Sequence, residues 1–342
     1  MSFTFDLNNI WFMLIGVLFT GYAILDGFDL GAGALHLLVR GDTNRRIILN
    51  AIGPVWDGNE VWLVTGGGAL FAAFPEAYAT SFSGFYLAMV FLLVGLIFRA
   101  VAIDFRSKRS AAWWRNLWDI SFCASSIISA LLIGVALGNI ARGIPLNAEH
   151  EFAGSFLGLL NPYALLIGVT TVMLFVMHGS IYLVMKTEGE LHDTIRRRVN
   201  PAIIYFVITY IAATIATLVY IPHMVQNLIA VPLLWILPLL NALAIANIPR
   251  EIHHGRDFRA FLSSCASMAA LLALFGMGMW PYMIYSKPFA ENSLHIYNAS
   301  SSPETLKIMF LIAVLGMPLV ISYTVSIYYI FRGKVKLDAS SY

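Results

Sequence analysis

Residues 50–75 read NAIGPVWDGNEVWLVTGGGALFAAFP, and the interpretation of the whole chain starts from this stretch. It carries Asp57 and Glu60 near its start, continues through three glycines at 66–68 and ends at Pro75. Apart from the two acids, the stretch has the length and apolar character of a membrane helix. A carboxylate inside hydrocarbon costs roughly 2.5–3.5 kcal/mol on insertion scales, so such acids need partners, protons or water. The stretch predicts a membrane helix in which two acids have a specific use.

A second pair of acids precedes this helix at the same spacing. Residues 21–36, GYAILDGFDLGAGALH, contain Asp26 and Asp29, and His36 follows seven residues later on the same helical face. Gly27 and Gly31 are spaced so that a neighbouring helix can approach the backbone closely. The four carboxylates of Asp26, Asp29, Asp57 and Glu60 are called here the acidic hairpin.

The overall composition places the chain among membrane proteins. Of its 342 residues, 59% are hydrophobic and 12% are charged, whereas soluble domains carry about 25% charged residues. A net charge of +2 gives no reason to expect nucleic acid as a partner. The two cysteines lie in no metal-binding or haem-attachment motif. The first apolar run lacks a preceding basic segment and a cleavage site, so we expect a retained span.

Nine apolar runs are long enough to cross a bilayer of about 30 Å. We therefore predict an all-α integral membrane protein with a single polytopic domain over 1–342. The predicted spans are 9–38, 53–75, 79–101, 117–141, 161–186, 202–221, 228–248, 261–286 and 305–331.

The basic residues predict the orientation of these spans. Eighteen of the 21 lysines and arginines fall in the odd-numbered connections and the C-terminal tail. The even-numbered connections carry only Arg142, Lys287 and Lys307. Because basic residues concentrate on the cytoplasmic side, the N-terminus is predicted outside and the C-terminus in the cytoplasm. The acidic hairpin then lies in the cytoplasmic half of the membrane, and His36 extends it towards that face.

Each acid has a functional and a structural interpretation. Carboxylates wetted from the cytoplasm can hold and pass protons, which favours a proton path through Asp57, Glu60, Asp26, Asp29 and His36. Acids in a first helical turn also complement the helix dipole for about 0.3–1 kcal/mol. Asp26 and Asp29 could simply bond donors on a neighbouring helix. Both interpretations remain open from the residues alone.

The histidines raise a haem hypothesis. His36 and His178 are the two that fall within predicted spans. They could form a bis-axial pair only if the first and fifth helices adjoin. The alternative is a histidine hydrogen-bonded to a neighbouring helix.

Several blocks of the sequence resemble one family. They are GYAILDGFDLGAGALH (21–36), GPVWDGNEVWLVTGGGALFAAFPEAYA (53–79), the segments within 98–126, and GVALGNIARGIPL (134–146). The chain resembles subunit II of the cytochrome bd-type quinol oxidases, including their cyanide-insensitive relatives. The match is dense over the first 150 residues and rests mainly on hydropathy beyond them.

The resemblance implies a fold, an activity and partners. The implied fold is two four-helix bundles plus one peripheral helix. The implied complex oxidises quinol and reduces dioxygen to water with protons from the cytoplasm, in the inner membrane of a bacterium. The haems b and d are expected in a partner, subunit I, with which this chain would form an obligate heterodimer. This chain is expected to bind no haem and not to be catalytic alone. The resemblance leaves open a structurally held quinone and a small accessory subunit.

The resemblance also suggests roles for individual residues. Asp57 resembles a family carboxylate on a proton path at the subunit interface. Trp62 resembles a residue beside a lateral oxygen route, and Trp56 belongs to the same interface block. Two other classes compete with this function. One is a proton-coupled secondary transporter that uses Asp26 and Asp57, and the other is a purely structural subunit whose acids lock helices together.

Overall fold

The computed structural model describes residues 5–337, and this part of the chain is almost entirely helical. The helices are α1 (Leu7–Leu35), α2 (Asp42–Ile52), α3 (Trp56–Ala73), α4 (Pro75–Gly84), α5 (Tyr86–Phe105), α6 (Ala112–Arg142), α7 (Pro162–Lys186), α8 (Gly189–Tyr220), α9 (His223–Ala230), α10 (Ile236–His253), α11 (Asp257–Met279) and α12 (Pro303–Ile330). A short antiparallel hairpin of β1 (Tyr282–Ile284) and β2 (Leu294–His295) lies between α11 and α12.

Eight helical segments within the described residues are long and apolar enough to cross a membrane. They contain α1, α5, α6, α7, α8, α10, α11 and α12. Helix α3 has 18 residues but is not among them. Its first turns carry Asp57, Asn59 and Glu60, and these polar side chains lower its hydropathy. The chain is therefore an all-α, multi-pass membrane protein.

Three predicted spans are interrupted or end early in the structure. The span predicted at 79–101 is replaced by α4 and α5, which are separated at Phe85, where Phe152 packs against Gly84. The span predicted at 228–248 is split between α9 and α10 by a 3-10 turn that begins at Pro232. The span predicted at 261–286 ends at Met279, because the residue before Pro281 is disfavoured in helical conformation. Proline and aromatic packing explain these breaks.

The connection between the first two predicted spans also contains a helix. This helix, α2, buries Ile48, Leu49 and Ile52 on one side and exposes polar residues on the other. The buried side joins the largest apolar cluster, which includes Phe28 of α1 and Phe206 of α8. An amphipathic helix at this point covers one end of the membrane helices, and a hydropathy count of spans cannot detect it.

Helix α1 is the central element, since it packs against α3, α6, α7, α11 and α12. Its closest approach is to α7. A side chain at Gly31 would collide with the backbone carbonyl of Phe175, and one at Gly179 would lie 2.6 Å from the backbone of Ala32. The close approach predicted from the glycine spacing on α1 is thus present.

Helix α12 lies at the periphery of the structure. None of the residues in its most apolar stretch is buried. It is attached at its ends: Trp11 Nε1 donates to the Leu306 carbonyl at 2.9 Å, and Lys186 Nζ donates to the Phe331 carbonyl at 2.5 Å. A third attachment, through Tyr328, reaches the acidic hairpin.

Candidate functional site: a buried charged centre

An arginine that the sequence does not mark as functional lies at the middle of the acidic hairpin. Arg99 of α5 is fully buried, and its Nη1 donates to Asp26 Oδ1 at 2.7 Å. Its Nη2 lies 3.0 Å from Glu60 Oε1, which is an ion-pair distance. Asp26 is also fully buried, whereas the Glu60 side chain retains 20% exposure. Three helices, α1, α3 and α5, therefore meet at one arginine.

Asp29 belongs to a second set of contacts, centred on Asn59. The Asn59 amide donates to Asp29 Oδ2 at 2.8 Å and to the Leu25 carbonyl at 3.1 Å. The Tyr328 hydroxyl donates to Asn59 Oδ1 at 2.8 Å. The other oxygen of Asp29 is buried without a hydrogen-bond partner. Asp29 is thus held by neutral donors, and α12 contributes one of the groups around it.

Charge is not balanced within this centre. Arg99 is the cation in contact with Asp26 and Glu60, and Asp29 lies close enough to contribute to the field on its guanidinium. Three carboxylates therefore share one arginine. A buried charge is costly unless it is paired, so all three acids cannot be ionised together without further compensation. Such a centre can hold exchangeable protons.

Asp57 is one turn away from Glu60 on the same helix but points elsewhere. Its side chain is exposed on the outside of the chain, as is the neighbouring Gly58. Trp56 is half-buried and packs against the large apolar cluster. The structure therefore places Asp57 on an external face and Glu60 between that face and the buried arginine.

Trp62 packs against α1. Its ring occupies the space that a side chain at Gly21 would need, and it is half-buried. Further along α3, a Cβ at Gly67 or Gly68 would meet nothing within 4 Å. The surface of α3 at Gly67 and Gly68 is therefore not covered by other residues of this chain.

The structure separates His36 from the acidic hairpin. His36 Nε2 lies 2.5 Å from Asp119 Oδ1, and Asp119 also accepts from Arg45 at 2.8 Å and from Arg106 at 2.5 Å. Arg106 continues to Asp42, which pairs with Arg115. The predicted role of His36 as an extension of the acidic hairpin did not include this contact with Asp119, which comes from α6. This cluster ties the ends of α1, α2, α5 and α6 together.

Neither histidine within a span has the setting of a paired haem ligand. Both ring nitrogens of His178 are engaged, Nδ1 with Ser264 Oγ at 2.7 Å and Nε2 with the Ile24 carbonyl at 2.9 Å. His36 Nε2 is bound to Asp119, and its Nδ1 is buried without a hydrogen-bond partner. Within residues 5–337, no group of three His, Cys, Asp or Glu side chains is arranged to hold a metal ion.

Three residues of this site were not predicted from the sequence. Arg99 was assigned to a connection as an orientation signal, but α5 continues to Phe105 and carries it inside the helix bundle. Neither Tyr328 nor Asn59 has a role that the sequence predicts. The available signal for Arg99 was its place within an apolar run.

The fold and the charged centre define a class: a multi-pass membrane subunit built around a buried arginine with a surplus of acids. Comparison with known proteins gives the family. Residues 7–331 match the family model described as cytochrome bd terminal oxidase subunit II. The chain belongs to the subunit II family of the cytochrome bd terminal oxidases, and it is thereby an oxidoreductase subunit of the respiratory chain.

Characterised relatives match over almost their whole length. The chain is 36% identical to cytochrome bd-I ubiquinol oxidase subunit 2 of Escherichia coli strain K12, over 96% of this chain and 95% of the relative. It is 34% identical to cytochrome bd ubiquinol oxidase subunit 2 of Bacillus subtilis strain 168, over 96% and 97% of the two chains. A chain of the bd oxidase from Geobacillus thermodenitrificans shares the fold, with a TM-score of 0.79 at 16% identity over 95% of this chain and 98% of that one.

Proposed function

We propose that this chain is the haem-free subunit II of a quinol:oxygen oxidoreductase in the cytoplasmic membrane of a bacterium. Its partner would be a haem-bearing subunit I, with which it forms an obligate heterodimer. Its relatives named ubiquinol oxidase subunit 2 support this assignment. The haems b and d would lie in the partner, because His178, with both ring nitrogens hydrogen-bonded, is not available to form a bis-axial pair with His36.

In the proposed topology α3 is the ninth span. It is short and polar at its start, but it lies between the membrane segments α1 and α5 and packs directly on α1. The face with eighteen basic residues is cytoplasmic, by the positive-inside rule. The N-terminus is then outside and the C-terminus inside. The helices other than the peripheral α12 would form two four-helix bundles, with α4 and α9 as short additions at the outer face.

The proposed role of the acidic hairpin is to deliver protons to the partner. The single observation that carries this role is the set of acidic side chains that leads from the exposed Asp57, through the half-buried Glu60, to Arg99 and the buried Asp26. Because one arginine faces three acids, the centre can accept a proton without creating a net positive charge. Asp29 and the Asn59 amide lie at the inner end of the set.

The part of α3 that follows Trp62 is the proposed route for oxygen. Oxygen is small and apolar, so it partitions into the bilayer and needs an open, apolar side entrance. The uncovered surface at Gly67 and Gly68, which follow Trp62 along α3, supports an entrance there. Trp56 packs against the core below it and would help to shape the interface with the partner.

The proton role is tested by neutral substitutions in the intact complex. Asp57→Asn and Glu60→Gln should each lower quinol-driven oxygen consumption by about a hundredfold or more, in line with the loss of a positioned proton-transfer group. The visible haem spectrum of the purified complex should stay unchanged. Glu76→Gln, an exposed acid on α4 at the opposite end of α3, is the matched control and should retain full turnover.

The outcomes separate the competing functions. Full turnover in both variants would remove the proton role and leave the family assignment intact. Loss of haem or of the partner in both variants would favour a purely structural role for the acids. Purification without any haem-bearing partner would favour the transporter.

A further inference from the structure

A cavity of about 340 Å³ opens where α6 ends. It lies on the face whose connections carry only Arg142, Lys287 and Lys307, which is called here the weakly basic face. Three segments form it: the end of α6, the connection 143–160 and the segment that follows β1. The residues that matter for its chemistry are Arg142, Ile144, Pro145, Phe152, Leu159 and Lys287. The cavity therefore combines two basic side chains with an apolar wall.

The backbone fixes the two basic residues beside each other. Ile144 N donates to the Tyr285 carbonyl at 3.1 Å, and Lys287 N donates to the Ile144 carbonyl at 3.0 Å. Gly143, with φ of 89°, allows this crossing, because a Cβ there would lie 2.9 Å from Tyr285 Cδ1 and 3.3 Å from Lys287 Cβ. Arg142 and Lys287 are distant in the sequence but belong to one rigid structure.

Neither basic side chain has an acidic partner in the described part of the chain. No ion pair involves Arg142 or Lys287 among residues 5–337. Glu149 and Glu151 lie in the same connection, but both are exposed and pair with neither cation. The connections of this face carry three basic residues, and two of them line this one cavity. The positive-inside rule does not explain why two basic residues lie together here, because it predicts few basic residues on this face.

The apolar wall indicates what kind of anion fits. Phe152 and Leu159 line the cavity itself, and Leu157, with 75% exposure, lies beside it just before α7 begins. A small soluble anion would contact only the basic side chains, whereas an amphiphile would contact both the basic side chains and the apolar wall. The position at the end of two membrane helices, α6 and α7, is the level at which lipid headgroups lie.

We propose that the Arg142–Lys287 cavity binds an anionic phospholipid from the leaflet on this face. The phosphate lies between the two basic side chains, and the glycerol and first methylenes pack on Phe152 and Leu159. The site goes beyond the proton role of the acidic hairpin and does not depend on it.

The test uses the intact complex in nanodiscs of phosphatidylcholine that contain a minor fraction of phosphatidylglycerol with a diazirine in its acyl chain. After irradiation and digestion with pepsin, lipid adducts are measured on peptides from 142–162. The double variant R142Q and K287Q should lower this labelling at least about fivefold relative to wild type, because two basic contacts are lost. Lys307→Gln is the matched control: it removes the third basic residue of this face, which is exposed and outside the cavity.

A second pair of variants leaves both cations in place. Ser155 is exposed at the cavity, so Ser155→Glu should also lower labelling, whereas Ser155→Gln should not. The haem spectrum verifies assembly of each variant. Equal labelling in wild type and the double variant would overturn the proposal. So would equal labelling by a diazirine phosphatidylcholine, or loss of labelling in excess inorganic phosphate, which would identify a site for a free anion.

Discussion

Arg99 Nη1 and Asp26 Oδ1 lie 2.7 Å apart, and both side chains are fully buried between α5 and α1. Removing one member of such a pair leaves an uncompensated charge in a medium that cannot solvate it. We therefore expect Arg99→Met to destabilise the subunit by about 3–5 kcal/mol. The measurement is thermal unfolding of the purified complex, followed by the loss of its haem spectrum.

The loss of charge balance in Arg99→Met, more than the change in side-chain volume, should cause the loss of stability. The double variant R99M and D26N removes both members of the pair, and we expect it to recover part of the lost stability, because Glu60 still lacks its cation. Oxygen consumption should stay low in both variants, because the proposed proton centre has lost its cation. If R99M alone unfolded at the wild-type temperature, Asp26 would be neutral in the native protein and the pair would not be an ion pair.

The crossing of α1 and α7 leads to a second prediction. Gly31→Ala places a methyl group against the backbone carbonyl of Phe175, which cannot move without shifting α7. Overpacking of this kind costs about 1–3 kcal/mol, so the midpoint of thermal unfolding should fall. Gly16→Ala is the control on the same helix, since a Cβ there meets nothing within 4 Å. It should leave the midpoint unchanged or raise it slightly, because alanine favours a helix over glycine.

The sequence predicted those parts of the fold that depend on local composition. Long apolar runs placed α6, α7, α8 and α12, and the glycine spacing on α1 predicted a close helix contact, without identifying α7 as the partner. The breaks near Pro232 and Pro281 were missed because a count of apolar runs does not weigh single prolines. The break at Gly84 was missed because it depends on packing from a distant segment, where Phe152 meets Gly84. A count of apolar runs has no access to such contacts.

The same distinction applies to the charged centre. Acids inside apolar runs are conspicuous, so the sequence singled out the three carboxylates of the centre, together with Asp57, which lies on an external face. Their partners were not found, because pairing is a long-range property. Tyr328 contacts Asn59 across 269 residues, and Arg99 contacts Asp26 across 73. The sequence also placed His36 with the acids, since helical periodicity cannot reveal that Asp119 of α6 approaches it more closely.

The contact between Tyr328 and Asn59 predicts a role for the peripheral helix. Tyr328→Phe removes the hydroxyl that donates to Asn59 Oδ1 and leaves a buried acceptor without its partner. This should cost about 1–3 kcal/mol in the free energy of unfolding. It should also increase hydrogen exchange in the second half of α12, which is measured by mass spectrometry. Tyr323→Phe, on the same helix but 61% exposed, should change neither quantity. A similar effect of both substitutions would show that the hydroxyl bond is not what attaches α12.

A histidine outside the membrane segments makes the stability of the weakly basic face depend on pH. The ring of His223 stacks on Tyr285 with centroids 4.1 Å apart. Burial lowers the pKa of His223 below its ordinary value of 6.5, and the positive charge of Lys287 lowers it further, while the Ala141 carbonyl acts in the opposite direction. Just below pH 6.5 the folded state then binds fewer protons than the unfolded state. The contribution of neutral His223 to the free energy of unfolding is therefore complete above about pH 6.5 and is lost as the pH falls through the lowered pKa.

Hydrogen exchange in α9, corrected for its intrinsic pH dependence, should therefore rise as the pH is lowered from about 7.5 to about 5.5. His223→Phe keeps an aromatic ring against Tyr285 without a titrating group, and it should abolish the rise, while Lys287→Gln should move it to higher pH. Exchange in α10, which lacks this histidine, serves as the internal reference. The same rise in the His223→Phe variant would assign the pH dependence to another group.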